Sequence, residues 1–138
     1  MKKWKLFLLL AIIVVLSTTI SFLAYEFYSV IEVRTLNISL DIVGGAVIGM
    51  SGDTDKLDFG AISNGNTVEK GALVENYRKE PVRIVVVVSG NVSPFIEVSE
   101  NNFMLEGNGS RRLKLIARPV DAELGHYSGT AFFYFKRT

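Results

Sequence analysis

The sequence predicts a mainly β protein, an antiparallel sandwich of seven or eight strands preceded by one N-terminal transmembrane helix. Three observations carry this reading. Leu6 to Tyr25 is a run of 20 residues without a charge, with Lys2, Lys3 and Lys5 before it and Glu26 after it. Beyond residue 33 the apolar residues recur with a period of two and show no helical period, and turn residues interrupt them about every 8–12 positions. That remainder of roughly 105 residues also has the length of one sandwich domain, about 100 residues.

Taken in order, residues 1–5 form a basic tail and residues 6–28 the anchor helix. At 1.5 Å per residue, a 20-residue apolar helix spans about 30 Å, the thickness of a bilayer hydrocarbon core. Ser17, Thr18, Thr19 and Ser21 do not break it, because a helical hydroxyl can bond a preceding carbonyl. Trp4 at one end and Tyr25, Phe27 and Tyr28 at the other suit the two membrane interfaces. The lysines precede the run, so the positive-inside rule places residues 1–5 in the cytoplasm and the rest of the chain outside. A cleaved signal peptide is the rival reading. Its apolar region would be unusually long, and no Ala-x-Ala site follows, Thr19-x-Ser21 being the nearest small pair. A prepilin-type site is missing too, since no Gly follows the lysines.

Residues 29–35 are expected to be a linker, and 36–138 the outer domain. Leu36–Ile42 alternates apolar and polar side chains, and Gly44-Gly45 turns the chain into Ala46–Met50. A loop over 51–55 leads to Leu57-Asp58-Phe59, and Asn64-Gly65-Asn66 turns into a strand over 67–74. Val82–Val88 is apolar on both faces after Arg83, which predicts a central strand buried on two sides. Short strands follow at 95–98 and 103–105. Gly107-Asn108-Gly109-Ser110 reads as a hairpin turn into 111–118, where Leu113, Leu115 and Ala117 share one face. The last strand is 127–136.

Composition excludes several chemistries. With no Cys there is no disulfide, thiolate nucleophile or thiolate metal site, and one His cannot make a histidine-rich centre. Residues 34–138 hold 12 basic and 12 acidic groups, which leaves no field to steer nucleic acid. His126 is expected to be a solvated turn residue, and Tyr127 a core tyrosine whose hydroxyl bonds nearby backbone. Asp53, Asp55 and Asp58 form a weak calcium candidate, without the Gly and bidentate Glu of an EF-hand loop. Asn37, Asn91 and Asn108 open N-glycosylation sequons; Pro94 disfavours the second, and the turn position favours the third. Gly44-Gly45 lacks the Lys-Ser/Thr of a phosphate loop. No cofactor and no small-molecule substrate are expected.

Leu57-Asp58-Phe59-Gly60, Gly65-Asn66-Thr67, Val74-Glu75-Asn76, Glu80-Pro81-Val82, Phe103-Met104-Leu105, Gly109-Ser110 and Gly125-His126-Tyr127-Ser128-Gly129 follow one another in that order. This series resembles the immunoglobulin-like domains related to the major sperm protein and similar envelope modules. The resemblance covers about residues 57–135 and is carried mainly by turn and core residues. It implies an immunoglobulin-like sandwich that binds proteins without catalysis. The anchor and the strand at 36–42 depart from the simplest family pattern.

The expectation is therefore a single-pass membrane protein, held in lipid by residues 6–28, whose outer domain binds an envelope protein or itself. Phe132 and Tyr134 on the aromatic last strand are candidate contacts, at what is expected to be a sheet edge open to a further strand. The alternative is a subunit or anchor of a surface filament, pilin-like or archaellum-stator-like, in which Leu36, Ile38 and Leu40 leave with their strand to complete a neighbour's sheet.

Overall fold

The computed structural model describes residues 2–45 and 56–138. Helix α1 covers Lys3–Ser29, 27 residues. It is apolar on all sides, and none of its residues is buried against protein. An all-round apolar helix needs an apolar surrounding; α1 is a candidate membrane span or signal anchor. Thr18 Oγ1 donates to the carbonyls of Val14 and Val15 at 3.0 and 2.9 Å, and Thr19 Oγ1 to Val15 at 2.8 Å. The hydroxyls are thus satisfied within the helix.

Eight strands follow in two sheets. These are β1 (Val30–Val43), β2 (Lys56–Ser63), β3 (Val68–Glu75), β4 (Val82–Gly90), β5 (Ile96–Val98), β6 (Phe103–Leu105), β7 (Ser110–Ala117) and β8 (Gly125–Arg137). The larger sheet has the order β2-β1-β8-β4-β6 and the smaller one β3-β7-β5. Residues 30–35, expected as linker, belong to β1, so helix passes into strand at Val30 without a spacer. The expected strand over 46–50 lies outside the described residues.

All ladders are antiparallel except β1–β2. A parallel pair needs a crossover of about a dozen residues, and positions 44–55 supply that length. Within β2, Gly60 adopts φ 69° and its N–H donates to Asp58 Oδ1 at 2.8 Å. The ladder shifts register there, so Leu57, Phe59 and Ile62 all reach the core although the last two are three positions apart.

From β3 to β8, successive strands alternate between the sheets. The turn at 107–110 is consequently an arch across the core and not the expected hairpin. Buried Asn76 explains why. Its Nδ2 donates to the carbonyls of Glu80 (2.9 Å) and Glu106 (3.1 Å), and its Oδ1 accepts from Arg78 N–H at 3.0 Å. Its backbone N–H donates to Gly109, and Asn108 N–H to Arg78. One side chain therefore clasps the β3–β4 and β6–β7 arches together. The core between the sheets holds Ile38, Leu40, Ile42, Phe59, Ile84, Leu113, Leu115, Phe133 and Phe135, all buried.

Candidate protein-binding face

Alternation decides which side chains the large sheet turns outward. On β8, Ala131, Phe133 and Phe135 are buried, so Thr130, Phe132, Tyr134 and Lys136 stand on the opposite face. The register brings Val33 and Val85 beside Tyr134, and Thr35 and Val87 beside Phe132. Val33 is 45% exposed, Val87 46%, and Met104 on β6 42%, while the Phe132 and Tyr134 rings stack at 6.2 Å. Val33, Val85, Val87, Phe132 and Tyr134 thus form one strip on the solvent side of the sheet, with Met104 of β6 beyond β4 at its margin.

The strip has a direction. Next to α1, Arg83 pairs with Lys136, whose Nζ lies 3.4 Å from Glu26 Oε2. The Val33 and Thr35 rows follow, then Asn37 with Thr130 and Ser39 with Ser128, and last Asp41 with His126. Apolar surface is concentrated in the part of the face nearest the helix, within about 20 Å along β1 at 3.3 Å per residue. The outer face of the small sheet differs: Lys114 pairs with Glu69 at 3.1 Å and Arg118 with Glu97 at 4.0 Å, and exposed Leu73 stands among these charges opposite Arg112.

Of the five partner-binding candidates, only Phe132 and Tyr134 lie here. Ile38 and Leu40 are buried, and Leu36 is half-buried on the same core-facing side, where it lines a cleft of about 490 Å³ between β1, β2 and β3 together with Arg34, Leu57, Ala72, Phe133 and Phe135. Even-numbered positions of β1 face the second sheet, which puts these three residues opposite the strip. β8 is not an edge. It is hydrogen-bonded to β1 and β4 along most of its length, so no chain can add beside it. Val82–Val88 is central but not buried on both faces, since Val85 is half-buried and Val87 exposed. Val33, Val87 and Met104 were not singled out from sequence; the doubly apolar run 84–88 was the available signal for Val87.

The remaining candidates scatter. Tyr127 donates from its hydroxyl to the Glu123 carbonyl at 2.8 Å and meets Phe95 edge-to-face at 5.1 Å, as expected of a core tyrosine. His126 stands on β8 and not in a turn, its Nδ1 2.6 Å from Asp41 Oδ1 on β1, with both side chains more than half exposed. Ser39 and Ser128 share that face, and neither hydroxyl bonds the imidazole. The imidazole borders an open cleft of about 530 Å³ shared with Asn37, Ser39, Lys56, Ser128 and Thr130, and among the described residues no hydroxyl contacts it to serve as a nucleophile.

Asp53 and Asp55 lie outside the described residues, and Asp58 is engaged in the Gly60 bulge. Among the described residues no group of three His, Asp or Glu side chains gathers to hold a metal. Asn91 Oδ1 accepts from Ser128 N–H at 2.8 Å, and Asn37 is exposed within β1, with Thr130 Oγ1 3.5 Å from its Oδ1. Asn108 is exposed at a left-handed turn position, φ 57°.

No family model, curated protein or solved structure matches this chain.

Proposed function

We propose that this chain is a non-enzymatic, membrane-anchored protein-binding module of the cell envelope. In this reading α1 crosses the membrane with residues 1–5 in the cytoplasm, and an immunoglobulin-like sandwich stands on the outer side. The observation that carries it is the apolar strip of Val33, Val85, Val87, Phe132 and Tyr134 on a sheet face whose counterpart across the core is charged. Contiguous apolar surface on a small domain marks an interaction site. Its place close to α1 favours a partner held in or on the same membrane, and confinement of both raises their effective concentration.

Strand donation to a filament neighbour has less support. β1 is bonded on one side to β2 and on the other to β8 of its own sheet, and its removal would open both ladders and the core at Ile38, Leu40 and Ile42. The test is photocrosslinking in intact cells from a reactive residue at Val87, with Arg112 on the opposite sheet as control. A discrete adduct with another protein from Val87 and none from Arg112 is expected. Equal labelling from both positions, or an adduct only with a second copy of the chain, would contradict the proposal.

A further inference from the structure

We infer that the cleft where α1 joins the sandwich binds the phosphate of an anionic phospholipid. This rests on the reading of α1 as a membrane span, and it concerns a cleft that adjoins the apolar strip and shares Val85 with it. The cleft measures about 370 Å³ and is walled by Tyr25, Glu26 and Ser29 on the helix side and by Arg83, Lys136 and Arg137 on the sheet side. Arg83 and Lys136 are directly opposite each other on β4 and β8. Like charges in that relation repel, so a sheet keeps them only where counter-charge is at hand. Glu26 supplies one negative charge, to Lys136. Arg83 and Arg137 make no ion pair and no side-chain hydrogen bond among the described residues.

Depth selects the ligand. The uncharged run ends at Tyr25, and Glu26 is the first charge beyond it. The 3.4 Å contact of Glu26 with Lys136 holds the cations at the level where the helix leaves the hydrocarbon. That is the headgroup layer, where phosphate is abundant and each Lys or Arg adds attraction to an anionic surface. An Arg guanidinium matches a phosphate with two parallel N–H···O bonds. Asn101, its amide bonded to the N–H and carbonyl of Val86 at 2.8 Å, fixes the cleft wall, and Asn102 beside it offers an amide donor for the rest of a polar headgroup. Neither membrane orientation is required, because both leaflets present phosphate at that depth.

The full-length chain in detergent micelles is offered equal amounts of phosphatidylglycerol and phosphatidylcholine, and the lipid retained is counted by native mass spectrometry. Preferential retention of phosphatidylglycerol is expected. Arg83→Gln should lower that preference about five-fold, and Arg112→Gln on the opposite sheet should leave it unchanged. Equal retention of the two lipids, or a preference that survives Arg83→Gln, overturns the inference. So does an Arg83-dependent adduct of inorganic phosphate, added at millimolar concentration, without lipid selectivity. Vesicle flotation of the same samples separates the two layers of the argument: a chain that floats but does not discriminate refutes the site alone, and one that does not float refutes the anchor and the site together.

Discussion

Asn76 is the residue whose loss should be felt furthest from its own position. It is 2% exposed and satisfies backbone groups of two arches at once. Asn76→Ala leaves the Glu80 and Glu106 carbonyls and the Arg78 N–H without that partner, and buried unpaired groups cost about 1–3 kcal/mol. Thermal unfolding of the chain should register that loss. Gly129 faces a different constraint, because a Cβ there would sit 2.0 Å from Ser89 O and 2.8 Å from Val92 Cγ1. Gly129→Ala should destabilise by about 2 kcal/mol or more as overpacking, and unchanged unfolding would contradict this packing of β4 on β8.

Tyr77 offers a spectroscopic test at the same scale. Its hydroxyl bonds the Glu75 carboxylate, and that hydrogen bond, with the carboxylate's charge, raises its pKa above 10.0. Because the folded value is the higher one, the contact's stabilisation is present below the unfolded value and is lost as pH rises through the folded one. In an alkaline titration followed by phenolate absorbance, Tyr77 should ionise later than it does in the Glu75→Ala variant, and identical titration curves for the two chains would contradict the contact.

At the scale of elements, strand existence was legible and strand placement was not. Period-two alternation locates β1 from Leu36 onward and β7 because one face of each is buried, a local property that neighbouring residues reveal, whereas β4 and β8 are marked by β-branched and aromatic runs apolar on both faces. Which sheet a strand enters is decided by distant contacts. Gly107-Asn108-Gly109-Ser110 has the composition of a hairpin turn, yet the Asn76 clasp and the close approach of Gly107 to Lys79 O make it an arch. The sequence presents Leu36, Ile38 and Leu40 as an exportable strand for the same reason. Their alternation is visible, but the β2 and β8 ladders that enclose them are not. Tyr127 was legible because its hydroxyl partner is only four residues away, whereas the His126–Asp41 pair spans 85 residues.

The candidate face is likewise an element-scale property, assembled from β1, β4, β6 and β8. Val87→Lys should change stability by no more than about 0.5 kcal/mol, since the side chain is already half exposed. It should still abolish the crosslinked partner adduct. A variant that unfolds, or one that keeps its partner, would place the binding surface elsewhere.

At the scale of the whole molecule, an all-round apolar helix gives way to a β fold with its own core at Ser29–Val30. α1 presents Leu, Ile, Val and Phe in every direction, and in water that surface would cost roughly 25 cal/mol per Å² exposed. The sandwich beyond it carries balanced charge and closes its own core. In the proposed reading of α1 as a membrane span, the direct passage from helix to strand sets the apolar strip and the basic cleft close to the bilayer, and their proposed roles depend on that placement. The most direct measurement is alkaline carbonate extraction of membranes from cells expressing the full-length chain. Retention of the intact polypeptide, Met1–Lys5 included, in the membrane pellet is expected; its release into the supernatant would contradict the account.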